Sequence, residues 1–437
     1  MSLKDKLVSS FLAFDDHLED ESPIHDIRSK AIKNFEENGF PTKKEEDWKY
    51  TSLKSILKEN YSIFPKGENT VELKDVKQYF LHDIDTFKVV FIDGVYSSFL
   101  SETTHDSMDI CLISSALKKD KYSASIETYY NKIAGEDSLT SLNTAFAKEG
   151  AYINIPKNKE VEKPIEIINF VTGKEEALMA QPRNLIIVGE NAHVQIIERH
   201  QSLTDNAVLT NSVTEIFVEK RAFIDYYKIQ NNNSTASLID STFISQEQDS
   251  NCCLHTFSLG GKLTRNNLKF SQNGEHCDST LKGITILKDK QHVDHNTLVE
   301  HIAPNCESHQ DYKGLYSDKS TGVFNGKVIV EKEAQKTNAF QQNNNILIDD
   351  KASVNAKPQL EIFADDVKCS HGCTIGQFDE EALFYLRSRG IAKKEAQALL
   401  MYAFANTVLE SVKIPSLKRR INRIIAEKIG VSIGFNV

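Results

Sequence analysis

Hydrophobic and polar positions divide the chain into three stretches with different periods. Residues 1–150 are mixed. After Pro23, apolar Ile27, Ala31, Ile32 and Phe35 recur at helical spacing, and Asn38 and Gly39 close that segment. The charged run after Pro41, ending in Trp48, Tyr50 and Leu53, begins a further predicted helix. Residues 88–95 (KVVFIDGV) read as a short buried strand with a turn, and residues 125–132 as a helix.

From about Tyr152 to Phe363 short runs of Val, Ile, Phe and Thr alternate with polar Asn, Asp, Lys and Gly clusters, and strand follows strand without intervening helices. A degenerate repeat runs through them: an apolar residue, three polar or small ones, alanine, any residue, then an apolar residue. Val188, Ala192 and Val194 fit it, as do Val218, Ala222, Ile224 and Ile348, Ala352, Val354; Val330 and Ala334 fit with Lys336 in the last place. The small alanine marks a corner where backbone layers crowd, which suits a β-solenoid whose coils bury their inner faces on one another. A β-sandwich satisfies the same alternation.

At Asp379 the pattern turns helical. Asp379, Glu380 and Glu381 supply an acidic cap and first turn, and Arg387 and Arg389 precede Gly390. A second helix sets Ala396, Leu399, Leu400, Ala403, Phe404, Thr407 and Val408 on one stripe. A third, after Pro415, carries Lys418, Arg419, Arg420 and Arg423 around Ile421, Ile424 and Ile425. The stripe and the basic rim together suit docking of another protein, a simply solvated basic face being the competing reading. The pattern thus gives an N-terminal helical and small α/β region (1–150), a β-rich core (151–378) and a C-terminal helical domain (379–437).

Charge narrows the functions this frame can serve. Of 437 residues 52 are basic and 62 acidic, a formal charge of −10, which argues against a general nucleic-acid coat. The longest apolar run, 398–405, spans eight residues, far short of a membrane span. With no signal-peptide pattern at the N-terminus, a cytoplasmic protein is expected. Seven cysteines, an odd number, are then expected to be reduced thiols.

Sequence motifs exclude more chemistry than they offer. The segment 258–264 (SLGGKLT) joins Gly and Lys but lacks the spacing of a phosphate-binding loop, and no GxSxG, HExxH or GxGxxG occurs. Two clusters of metal-ligand residue types remain. His292, Asp294, His295, His301, Cys306 and His309 lie within eighteen residues, but strand alternation prevents all six from converging, and polar ladders are the expected reading. Cys369, His371 and Cys373, at i, i+2 and i+4, share one face of an extended strand and present two thiols with an imidazole, ligands suited to zinc, copper or iron; buried cysteines ending the solenoid are the competing reading. Cys111, Cys252, Cys253 and Cys277 are expected to be structural thiols, and Trp48 a packing anchor.

Three ordered blocks carry a resemblance: 39–53 (GFPTKKEEDWKYTSL), 295–314 (HNTLVEHIAPNCESHQDYKG) leading through VFNGKVIV and TNAFQQNNNILI, and 360–391 (LEIFADDVKCSHGCTIGQFDEEALFYLRSRGI). The chain resembles the SufB and SufD family of the SUF iron-sulfur cluster assembly system. Within it CSHG fits the SufD branch; the SufB branch has a histidine, an acidic residue and alanine before the FYL helix. The resemblance implies a right-handed parallel β-helix flanked by N-terminal and C-terminal helical domains. It further implies a noncatalytic scaffold that pairs with a SufB-like subunit through the β-helix and docks a SufC-like ATPase through the C-terminal helices. No cofactor would be held stably by the isolated chain; iron or a nascent iron-sulfur cluster would be held transiently in the complex, and a homodimer could form when the partner is missing. His371 matches the family histidine near the SufB interface, an expected iron or cluster ligand, and Cys369 the accompanying cysteine. Cys373 stands where the family often has a small residue and inherits no role.

Overall fold

Alternation of apolar residues fixes how successive strands meet. From Phe223–Gln230 onward each strand pairs in parallel and in register with the strand two further along the chain: Phe223–Gln230 with Asn251–Ser258, then Asp278–Leu287, Glu307–Tyr316, Asn338–Leu347 and finally Lys368–Gly376. The intervening strands, from Val208–Val218 to Ser353–Ile362, build a second parallel sheet in the same way. One coil is therefore one strand of each sheet with two corners. The inner faces close on a core that includes Ile196, Ile224, Leu254 and Leu281 from the first sheet and Ile216, Ile244, Leu268 and Val299 from the second. Parallel pairing from coil to coil removes the sandwich alternative, whose sheets are antiparallel; antiparallel pairs occur at the N-terminal end, between Phe87–Ile92 and Val95–Tyr96 and between Asp109–Leu112 and Ala151–Ile155. The fold is a mainly β, parallel β-solenoid with helices at both ends. It is seen here in a computed structural model that describes residues 2–16, 24–63, 71–81, 83–103, 105, 108–173 and 177–430.

The alanine repeat is the corner. The amides of Ala192, Ala222, Ala334 and Ala352 donate to the carbonyls of Gly189, Glu219, Glu331 and Asp349 three residues back, at 2.9 to 3.0 Å. All four side chains are buried. Asn191 and Arg221, just before two of these alanines, take left-handed backbone with φ of 54° and 56°. Ser250 makes the same turn, onto Glu247, and Cys277 and Cys306 follow left-handed His276 and Asn305. Small side chains fill this column because the corner brings consecutive coils too close for larger ones.

Helices close the ends and cover the faces. Leu3–Asp16, Ile24–Asn38 and Ser138–Phe146 share an apolar cluster with Met179, Leu209, Ile239 and Leu263 of the second sheet's outer face. Pro23 lies outside the described residues. The helix expected after Pro41 is a single 3-10 turn, Glu46–Trp48, because this segment is held by side-chain contacts to the solenoid rather than by its own ladder. The helix read at 125–132 begins earlier, as Asp120–Tyr129, and strands continue past Phe363 to Gly376.

At the C-terminus Asp379 caps Glu380–Ser388 as expected, its carboxylate accepting from the amides of Glu381 and Ala382. Lys393–Leu409 and Pro415–Ile429 pack on the first sheet's outer face, where Ala405, Val408, Leu417, Ile421 and Ile425 meet Ile197, Tyr227, Phe257, Ile284 and Leu315. The predicted stripe of the middle helix is only partly the buried one. Ala396 and Val408 are buried, but so are Ala398, Ala405 and Leu409, while Leu399, Ala403 and Thr407 face solvent. That helix is apolar nearly all round, so periodicity alone does not choose its packed face. The basic third helix is also less free than its charge suggests: Arg419 pairs with Asp83, and Lys413 Nζ lies 2.8 Å from Asp225 Oδ1.

Candidate functional site

Among the described residues the solenoid ends on two strands without an outer neighbour, Lys368–Gly376 in the first sheet and Ser353–Ile362 in the second. Partners in a parallel ladder share a face. Cys369, His371, Cys373 and Ile375 lie opposite Ala339, Gln341, Asn343 and Asn345, all buried and inward-facing. The predicted row therefore faces the interior column, but on the last coil, where nothing stacks over it. Cys369 is half-buried, and His371 and Cys373 are exposed.

Strand geometry limits what this row does unaided. Cys369 and Cys373, four residues apart on a strand, stand about 13 Å apart, so with ligand bonds of about 2 Å the two thiols cannot share one ion, whereas His371, about 7 Å from either, can join one of them. Burial pushes both thiols above their ordinary pKa, so at neutral pH they are protonated and weakly nucleophilic. Cys373 Sγ finds only a long contact, 3.8 Å to Asn343 Oδ1. A metal or a partner's positive charge would be needed to draw out the thiolate.

The backbone of the same strand is open too. The Lys368 amide donates 2.8 Å inward to Thr337. Alternation then turns the N–H and C=O groups of Cys369, His371, Cys373 and Ile375 toward the free edge.

The histidine-rich cluster behaves as polar ladders. His295 points inward, with Nδ1 3.3 Å from Asn266 Nδ2 and Nε2 2.9 Å from Thr285 Oγ1, and burial brings its pKa down to about 4. His301 also points inward, onto Ser308 Oγ at 2.8 Å, and burial again gives about 4. His292 and Asp294 face outward and hold the N-terminal segment. Thr51 Oγ1 lies 2.9 Å from His292 Nε2 and donates to Asp294 Oδ2 at 2.5 Å; Arg265 joins Asp294 at 2.5 Å and stacks 3.9 Å over Trp48. Trp48 is thus the packing anchor expected, clamped by a cation–π contact. Cys306 and Cys277 both turn their thiols to the Gly274 carbonyl, at 3.2 and 3.1 Å.

One cluster escaped the sequence reading. Inside the solenoid Glu198, His200 and Asp240 bring ligand atoms within 4.8 Å of one another, the one such group found among the described residues. Lys228 Nζ already occupies it, 3.2 Å from Glu198 Oε2 and 2.8 Å from Asp240 Oδ1. Burial pushes both carboxylates up; the Lys228 ammonium and the His200 hydrogen bond overcome this at Glu198, whose pKa falls, while Asp240 stays raised. The group is a neutralised internal ion network, and a cation would have to expel the lysine. Only the register exposes it: Glu198 and Lys228 are ladder neighbours 30 residues apart, and Asp240 reaches them from the second sheet.

Fold and site together define a β-solenoid protein whose last coil presents thiols, an imidazole and an open strand edge. The chain belongs to the SufB and SufD family of the SUF iron-sulfur cluster assembly system. The family model described as the SUF system FeS cluster assembly SufBD core domain matches residues 170–404, and that of the SufBD protein N-terminal region matches residues 1–167. Among similar proteins, the iron-sulfur cluster assembly protein SufD of Escherichia coli is 32% identical over 397 residues, covering 90% of each chain. An iron-sulfur cluster assembly SufBD family protein of Synechocystis is 31% identical over 396 residues, covering 89% of this chain and 87% of that one. SufD of Bacillus subtilis is 26% identical over 316 residues, 71% of each. The role is therefore of SufD type, in iron-sulfur cluster assembly. Among the described residues no helix is long and apolar enough to cross a membrane.

Proposed function

We propose that this chain is a noncatalytic scaffold subunit that pairs with a SufB-like subunit through the open end of its solenoid. Iron and sulfide are its cargo, met at His371 with Cys369 as the weaker sulfur ligand. The observation that carries the reading is the Cys369–His371–Cys373 row on an unpaired coil, a half-site that its own chain leaves unfinished. A partner strand laid on that edge would satisfy the free backbone groups, cover the row and add the missing ligands.

The two edges are not equivalent. Pro358 sits in the second sheet's edge strand, and the Ser353 amide donates inward to Ser320, so alternation puts the missing N–H of Pro358 on the free side. Proline there blunts that edge, whereas the Lys368–Gly376 strand has no proline and remains competent to pair.

Docking of a SufC-like ATPase fits the Glu380–Ser388 helix, which buries no residue and leaves Phe384 74% and Tyr385 57% exposed. Exposed aromatics of this kind are typical interface anchors. In this reading nucleotide-driven closure of the ATPase pair moves these helices and, through the adjoining 377–379 connection, the strand that bears His371.

Anaerobic reconstitution tests it, on the isolated chain and on its complex with the SufB-like and SufC-like subunits, with bound iron and sulfide quantified. Cluster that forms only in the complex and falls in His371→Ala, with the complex intact, supports a shared interface site. Full loading of the isolated chain, or undiminished loading of the variant complex, rejects it.

A further inference from the structure

The segment 258–264, rejected as a phosphate-binding loop on its spacing, nevertheless contributes to a cavity. Its Lys262 lines a cleft of about 920 Å³ between the N-terminal segment and the corners of the second sheet. Lys43 enters from the N-terminal side, and Lys290 and Lys319 from the next two coils. Corner stacking is what gathers them: residues 262, 290 and 319 precede ladder-paired strand starts, since Leu263 pairs with His292 and His292 with Thr321. Among the described residues none of the four ammonium groups forms an ion pair, although the chain as a whole is acidic.

The two acids in the wall, Asp289 and Asp318, offset only part of this charge against four lysines, and the Asp318 carboxylate also accepts the Asp289 amide at 2.9 Å. Hydroxyls complete the lining, from Ser52, Ser55, Ser234 and Thr321, with the ring of Tyr50 at the mouth, 41% exposed. His292 is fixed as a neutral side chain beside them. Thr51 spends its only hydroxyl proton on Asp294, so His292 Nε2 donates to Thr51, and burial, helped by the Lys43 and Arg265 charges, opposes a second proton more strongly than the Asp294 carboxylate favours it.

We propose that this cleft binds a small phosphate-bearing ligand of about nucleotide size. Several ammonium point charges beside hydroxyl donors suit a multiply charged phosphate group, which lysine binds through charge rather than through a planar fork. No arginine lines the cleft among the described residues, and Arg265 is held against the Trp48 ring and Asp294. A volume near the upper end of the usual range for small-molecule sites, roughly 300–1,000 Å³, leaves room for an organic moiety beside the phosphates, with Tyr50 as a stacking surface. The site lies on the second sheet and does not involve His371, so it stands or falls independently of the proposed cluster site.

The test is titration calorimetry of the full-length chain with inorganic pyrophosphate, ADP and citrate. Saturable binding of pyrophosphate and ADP at one site per chain is expected, weaker by at least about tenfold in a Lys262→Gln/Lys319→Gln variant, which is about 1.4 kcal/mol. The substitutions lie at the rim, and an unchanged thermal midpoint checks that the fold survives; Lys43→Gln/Lys290→Gln is the second variant. Absence of saturable binding, binding as tight as wild type in both variants, or citrate binding as tightly as pyrophosphate overturns the proposal.

Discussion

Single residues inside the solenoid carry charges that only their partners make tolerable. Lys228 is fully buried between Glu198 and Asp240, and removing one member of such a network leaves an uncompensated charge. Lys228→Met is expected to destabilise the chain by about 3–5 kcal/mol, read from its urea midpoint, whereas replacing all three groups with apolar residues of similar volume should cost far less. Histidines give a second readout. His255, His295 and His301 are each depressed to about 4 by burial, from an ordinary value near 6.5. Between those values the unfolded chain binds more protons than the folded one. Their contribution is therefore complete above pH 6.5 and is lost as pH falls toward 4, at about 1.4 kcal/mol per pH unit for each group. Denaturation midpoints measured from pH 7.5 to 4.5 should show this slope, and His301→Gln should shallow it by one proton's worth; an unchanged slope would mean His301 is not titrating there.

Elements show which features a sequence displays and which it hides. Strand identity, corner alanines and the Asp379 cap follow from local rules, because alternation, crowding and capping act within a few residues. The strand face shared by Cys369, His371 and Cys373 was legible for the same reason. Register was not: the Glu198–Lys228–Asp240 network and the Thr51–His292–Asp294 clamp join residues far apart in sequence, and spacing carries no trace of them. The middle C-terminal helix shows the same limit, since apolar residues on all sides left its packed face to be decided by the sheet beneath. Inward glycines are a further product of register. A Cβ on Gly283 would overlap the Tyr312 ring, and one on Gly314 the Tyr316 ring. Gly314→Ala is accordingly expected to cost about 1–3 kcal/mol by overpacking, although alanine suits a strand as well as glycine does. Calorimetric unfolding checks it, and recovery in Gly314→Ala/Tyr316→Leu would locate the cost in that contact.

At the scale of the whole molecule, a solenoid must end somewhere, and among the described residues no element caps the last coil of this one. Terminal coils of such proteins are ordinarily closed by a polar face or a covering element, since an open parallel edge invites uncontrolled pairing. Here the Ser353–Ile362 edge is blunted by Pro358, but the Lys368–Gly376 edge keeps its free amides and leaves Ile375 45% exposed. An edge blunted on one sheet alone directs association to the other. Cys373→Pro separates folding from pairing, because the Cys373 amide points away from the ladder and proline is tolerated at such edge positions. The variant chain should keep its strand spectrum and a melting temperature within a few degrees of wild type, yet lose association with a SufB-like subunit in sedimentation velocity. Thr374→Pro, one residue on, removes an inward amide and should instead loosen the last coil itself. Retained association by Cys373→Pro would show that the partner grips another surface, and His371 would then lose its claim to an interface site.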